Sequence, residues 1–323
     1  MQRRSIITGA GSAALLGLTG QALAQEFPRA GMTVKYVVPF PPGGLTDVMA
    51  RSVAQKLGDV LKIPVLVENK AGGNAQIGAD QVAKSAPDGS NLLAITLTHA
   101  ANVTLFPDAP YSLTRDLRPL ALLAGSPMLV VVPANSPITD FRDLMKVAKA
   151  RTLNAGSSGN GTPPHLTMAL FNDINQSSMT HVPYRGGAPS MTDLIGGQLD
   201  LIFSNFPESM AHVRSGKLRA LALCSPTRNS SVPDVPTTIE AGMPTLQVEN
   251  WTAVMVHAKT PDAIVERYAR EIVKIMAAPE MADRAREQGF RINARGPGEF
   301  AAFLTSEIEL WGRIIKTAKI TAG

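Results

Sequence analysis

From Val34 onward the chain alternates two hydrophobic rhythms. Short continuous apolar runs, VKYVVPF, PVLVENK and NLLAITLT, are separated by stretches in which apolar residues return every three or four positions. The short runs predict buried strands and the longer period predicts helices, so the order strand, loop, helix indicates a mostly parallel sheet covered by helices. In the helix after Gly44, the residues Met49, Val53, Leu57 and Val60 recur at helical spacing and predict one face against the sheet. A second helix is expected in NAQIGADQVAKSAP. The turn Pro87 to Gly89 then releases the chain into a third strand, NLLAITLT.

A long extended stretch without helical period, RPLALLAGSPMLVVVPANSP, interrupts this alternation, after which it restarts. The second series reads DFRDLMKVAKA as helix, TLNAG as strand, PHLTMALFNDI as helix, MTHVPY as strand, MTDLIGG as helix, then LDLIFSN and LRALALCS as strands. A further extended run, LQVENWTAVMVHA, leads to three helical segments with no new strand, expected to pack back on the first sheet. The pattern predicts an α/β protein of two lobes joined by two crossings, with residues 25–122 and 253–323 in one lobe and 123–252 in the other. A ligand would sit in the cleft between them.

Composition fits this architecture: 323 residues, 45% hydrophobic and 18% charged, suffice for two full cores. The formal charge of +5 comes from singly scattered Lys and Arg with little aromatic interleaving, which argues against nucleic acid as a partner. The start, MQRRSIITGAGSAALLGLTGQALAQ, has Arg3 and Arg4, a mildly apolar stretch and the small-x-small signature Ala22-Leu23-Ala24. It reads as an export signal over residues 1–24, cleaved to leave the protein outside the cytoplasm. Arg3-Arg4 followed by Ser-Ile-Ile resembles a twin-arginine signal, and the choice between that and the general route stays open. Removing the segment takes two positive charges, 5 − 2 = +3. GAGSAA within it matches a dinucleotide fingerprint only by coincidence, since no strand precedes it. Cys224, the one cysteine, sits in an alternating apolar run and is expected in the core.

The candidate chemistry lies at three strand-to-helix joints. VVPFPPGGLTD runs from Phe40 through Gly43 and Gly44 into a helix; NAGSSGNGTPPHL places Thr162 as N-cap and Pro163 at the first helical position; HVPYRGGAPS carries Gly186 and Gly187 before Pro189. Each would present backbone N–H groups at the positive end of a helix dipole, with glycines admitting a ligand close to the backbone. None ends in Gly-Lys-Ser/Thr, so a small carboxylate fits better than a nucleotide phosphate. No G-x-S-x-G elbow, H-E-x-x-H motif or histidine pair at metal spacing occurs, and no cofactor or metal is expected. His99, at the end of the third strand, could line the cleft, whereas His165 and His181 read as structural and Asp47 as a carboxylate in a helix first turn. A hydrolase would require Ser157 or Ser158 to meet His165 or His181 in space.

VVPFPPGG with Thr46-Asp47, VENKAGGNAQIGADQVAKSAPDG, NAGSSGNGTPPHL, HVPYRGGAPSMTDLIGGQLDL, and GKLRALAL followed by VPDVPTTIEAGMP resemble, in order along the chain from residue 25, the extracytoplasmic receptors of tripartite tricarboxylate transporters, the Bug solute-binding family. The resemblance implies a two-lobed, periplasmic-binding-protein-like clamshell of type II, a membrane permease as partner, and no catalysis. It also implies a small organic acid held by main-chain groups. The matching positions are Phe40, Pro42, Gly43, Gly44, Leu45, Thr46 and Asp47 in the first lobe. In the second they are Ser157, Ser158, Gly159, Asn160, Gly161, Thr162, Gly186, Gly187 and Ala188. His99, Arg185, Ser204 and Asn205 are added as neighbours of these segments. Many relatives carry an acid where Ser204 stands and a lysine where Arg185 stands. Without that acid an ammonium would lack an acceptor, so an aliphatic or aromatic acid without an amino group is expected. A monomeric receptor is expected, and a sensor subunit of a signalling system is the alternative use of the same fold.

Overall fold

The computed structural model describes residues 27–321, and the expected export signal lies outside them. VKYVV becomes β1 (Val34–Val38), buried at every position but one, and pairs in parallel with both β2 (Val65–Asn69) and β3 (Asn91–Thr96). Between them α1 (Leu45–Leu61) and α2 (Gln76–Ala83) cross over the sheet. The buried face of α1 is Leu45, Met49, Val53, Leu57 and Leu61; Val60, expected on it, is 40% exposed because the stripe advances by four residues after Leu57. The third strand also stops earlier than its apolar run suggests. At Thr96 the chain turns straight into α3 (Leu97–Leu105), whose first turn is closed by Thr98 N–H donating to Thr96 Oγ1 and Thr96 N–H donating to His99 Nδ1.

The extended run after α3 is a single 17-residue strand, β4 (Leu117–Pro133). Its first part pairs antiparallel with β9 (Glu249–His257), from Leu117 opposite His257 to Pro127 opposite Glu249. Its last residues pair instead with β7 (Leu201–Asn205) and β8 (Leu218–Leu223). The two expected crossings are therefore hydrogen-bonded to each other. Between β4 and β7 lie α4 (Phe141–Ala150), β5 (Asn154–Ser157), α5 (Pro163–Asn175), β6 (Thr180–Pro183) and α6 (Gly187–Ile195), with β7, β5 and β6 mutually parallel. The sheet path is β2-β1-β3-β9-β4-β7-β5-β6.

Two elements depart from the expected order. A helix, α7 (Phe206–Arg214), separates β7 from β8. The terminal region, α8 (Asp262–Met276), α9 (Pro279–Glu287) and α10 (Pro297–Thr317), contains a strand after all, β10 (Arg291–Arg295), on β4. RINAR is short and polar at alternate positions, a weak signal that becomes a strand because β4 leaves its ladder open opposite Gly125 and Ala124. As expected, α8 and α10 pack back on the sheet: Tyr268 and Ile272 join the core beneath α1, and Phe300 and Trp311 join the one beneath α3. Cys224 is buried in the core.

Candidate ligand-binding cleft

A cavity of about 340 Å³ opens where the β1–α1, β3–α3, β6–α6 and β7–α7 joints converge, with Asn250 of β9 at its base. The first joint is built from within. Gly43, at φ +84°, turns the chain so that its N–H donates to Asp47 Oδ2 at 3.0 Å. Asp47 also accepts from Arg51 and Asn69, each at 2.9 Å, and Asn69 donates to Phe40 O at 3.0 Å. Burial pushes the Asp47 carboxyl up, but the bonds from Arg51, the Gly43 amide and Asn69 outweigh it and hold the group below the usual range. Asp47 is thus the brace of the loop and stands outside the cavity wall. Phe40, Pro42, Gly43, Gly44, Leu45 and Thr46 form that wall, so the N-terminus of α1 faces the cavity.

Arg185, Gly186, Gly187 and Ala188 supply the opposing wall at the start of α6. Gly186, at φ +110°, lies against Pro41, where a Cβ would come within 3.1 Å of Cγ, so the two joints touch across the cleft. Phe40 and Leu45 on the α1 wall and Met191 and Ile195 on the α6 wall make part of the lining apolar. Two wall atoms are buried and unpartnered, Thr98 Oγ1 and Asn250 Oδ1. A hydroxyl and an amide carbonyl left in that state cost about 1–3 kcal/mol each until something binds them.

The joint around Ser157 behaves differently from the other two. Gly159 N–H donates to Ser157 Oγ, Gly161 N–H to His165 Nδ1, and Thr162 N–H to Gly159 O, while Pro163 and Pro164 have no N–H to give. Three of its main-chain donors serve the loop itself. Ser158 and Thr162 line the cavity; Ser157, Gly159, Asn160 and Gly161 do not. Thr162 starts α5 as expected, but its hydroxyl donates to Gly159 O at 2.6 Å rather than capping the helix.

Ser157 Oγ does meet His181 Nε2, at 2.5 Å, and His181 stacks on His165 with ring centroids 3.8 Å apart. The serine hydroxyl is fully buried and shared with the Gly159 amide and carbonyl, so it fastens a loop and faces no cavity. A serine-reactive phosphonate at millimolar concentration is accordingly expected to leave the intact mass unchanged; a covalent adduct at Ser157 would make it a nucleophile.

His99 is a correction. It lies in the first turn of α3, fully buried, with its ring edge-on to Phe40 at 6.0 Å, so it supports the wall without reaching it. Ser204 is buried within β7 and donates to Asn205 O. Asn205 lines the cavity, accepts from Asn250 at 2.8 Å, and donates to Glu208 Oε1 at 3.0 Å. Glu208, in the first turn of α7, is the acid of the cleft. Ser204 therefore does not leave the site without one, and the expectation of a ligand lacking an amino group loses its basis. Burial raises the Glu208 carboxyl to about 7, against the bonds from Asn205 and the Leu45 amide that lower it. Phe206, Met210 and Val213 recur at helical spacing after Asn205, a signal that would have found α7 and with it Glu208 and His212.

A cleft between two α/β halves, lined by backbone and small side chains and crossed by a paired two-strand connection, defines a solute-binding protein. Residues 49–320 match the model of the tripartite tricarboxylate transporter family receptor, and the chain belongs to that family. It is 33% identical to Protein BugT of Bordetella pertussis over 307 residues, covering 94% of each chain. Among solved structures it is similar to R. palustris Rpa4515 with adipate (TM-score 0.88, 30% identity, 92% of this chain and 99% of that one). It is also similar to MatC from Rhodopseudomonas palustris with bound malate (TM-score 0.82, 30% identity, 89% and 100%). The fold is the two-lobed clamshell of these receptors.

Proposed function

We propose that the chain is an exported, monomeric, non-catalytic receptor that closes its lobes on a small organic acid and presents it to a tripartite tricarboxylate-type permease. The lobes are residues 25–122 with 253–323, and 123–252, and the export signal is residues 1–24. The observation that carries this reading is the meeting of the α1 and α6 N-termini in one small cavity. A carboxylate there gains charge-assisted bonds and the helix dipoles without needing a lysine. The adipate and malate held by Rpa4515 and MatC support the class of ligand. Of the expected positions, Phe40, Pro42 to Thr46, Ser158, Thr162, Arg185 to Ala188 and Asn205 would contact it, joined by Thr98, Asn250 and Glu208.

A thermal-shift screen of the protein against mono-, di- and tricarboxylates tests this. A ligand at about a hundred times its Kd adds about 2.7 kcal/mol and should raise the melting temperature of a chain of this length by about 4 °C. No shift with any acid would overturn the assignment.

A further inference from the structure

The carboxylate of Glu208 lies against the starts of both α1 and α6. It is carried on α7, yet the backbone of Leu45, at the start of α1 on the other side of the cleft, is near enough to favour its charged form. An added Cβ at Gly44 would lie 3.3 Å from Glu208 Oε1, and the space beside the Gly187 Cα is filled by Oε2. The residue thus lies against both helix termini that make up the anion cradle, and at Gly187 a Cβ would displace it. Its remaining partner, the Asn205 amide, is fixed in turn by Asn250, so the side chain is aimed and not merely nearby.

We infer that Glu208 is an internal competitor for the ligand's carboxylate, and that an acid binds together with one proton taken up by Glu208. This rests on the carboxylate reading above. Two carboxylates cannot share the space against Gly44 and Gly187 while both are charged. Protonation frees the cradle for the incoming anion, and the protonated group can donate a hydrogen bond to it. The anion and the proton enter as separate species from solution, so charge balances without any other reactant. The ionisable groups lining the cavity with Glu208 are Arg185 on the α6 joint and His212 on α7 itself, and the Asp47–Arg51 pair on α1 is turned toward Asn69. Neither Arg185 nor His212 is hydrogen-bonded to the Glu208 carboxyl, whose hydrogen-bond partner is the Asn205 side chain.

Above the Glu208 titration, affinity for an acid should then fall by nearly tenfold for each pH unit, one proton being linked to each binding event. Calorimetry in buffers of different ionisation enthalpy counts that proton directly, with acetate, propionate, benzoate, malate, adipate and citrate as probes. At about pH 8 the native protein should take up about one proton per acid bound, whereas Glu208→Gln should take up none and bind the same acid at least roughly tenfold more tightly. Glu208→Ala, which empties the space, should also lose the proton uptake and serves if the glutamine variant does not fold. Binding without proton uptake in the native protein, or uptake that persists in both variants, would overturn the inference while leaving the carboxylate receptor standing. Failure of every probe to bind the native protein and the variants at either about pH 6 or about pH 8 would remove the receptor reading and this inference together.

Discussion

Lowering the pH from about 7 to about 5 is expected to cost the unliganded protein on the order of 3 kcal/mol of folding stability. Three histidines drive this. His99 is held neutral by burial, which brings its value down to about 3; His165 and His181 are each brought down to about 4 by burial, His165 further by the charge its stacked neighbour would carry. A histidine depressed in the folded state stabilises the protein above its unfolded value near 6.5 and loses that contribution as the pH falls toward the folded value. At about pH 5 His99 and His165 each account for a loss of about 2 kcal/mol, and His181, which keeps some exposure, for about half as much. Glu208 acts the other way. Its raised value makes the folded form the stronger proton acceptor, so its contribution is fully present below about 4.5 and is lost as the pH rises through about 7; acidification returns about 2 kcal/mol. Urea denaturation at the two pH values measures the net. Equal stability, or a gain on acidification, would mean that the stacked pair is not held neutral. Glu208→Gln should deepen the acid loss, because it removes that opposing contribution.

The histidine pair illustrates what periodicity conveys and what it withholds. That DFRDLMKVAKA and PHLTMALFNDI are helices, and that TLNAG and MTHVPY are strands, follows from spacing alone. The meeting of His165 with His181 does not, since it depends on β5 and β6 lying side by side in register, with His181 opposite Ala155. The glycine-rich joints were legible for the same reason, as strand ends feeding helix starts. Which of their N–H groups remain available was not. In the loop from Ser157 to Thr162 those of Gly159, Gly161 and Thr162 are taken by Ser157 Oγ, His165 Nδ1 and Gly159 O, partners fixed only once α5 docks. Pro163-Pro164 was a visible warning, because two prolines at a helix start remove two donors. The acid of the cleft escaped attention because FPESMAHVR is too short and too polar to stand out, although its apolar residues keep helical spacing. The long run into β4 has no helical period and resembles a connection. It is one strand because a ladder on β9 and then on β7 and β8 satisfies its backbone throughout.

Replacing the key carboxylate of a bound acid by a primary amide is expected to weaken binding by at least about 2 kcal/mol, or roughly thirtyfold. The comparison belongs at about pH 6, where most of Glu208 carries its proton and does not compete for the cradle. There the α1 and α6 termini offer the anion backbone donors that their own helices cannot use. Each charge-assisted bond is worth roughly 1.5–3 kcal/mol, and each helix terminus adds about 0.3–1 kcal/mol, up to about 2 when partly buried. A micromolar acid needs about 8 kcal/mol in total, so two or three such contacts and the apolar wall of Phe40, Leu45, Met191 and Ile195 suffice. The amide has nearly the same size but no charge, and it turns one acceptor oxygen into a donor facing donors. The apolar contacts are kept, which confines the loss to the cradle. Arg185 makes the salt dependence informative: it is exposed at the rim, so any share it takes in binding is screened by salt, whereas bonds from buried backbone are not. Calorimetry of the acid and its amide at low and high salt should therefore show a large difference between the two compounds and little change with salt. Equal affinities would show that the glycine joints do not recognise an anion. A preference for the acid that vanishes at high salt would transfer recognition from the helix termini to Arg185.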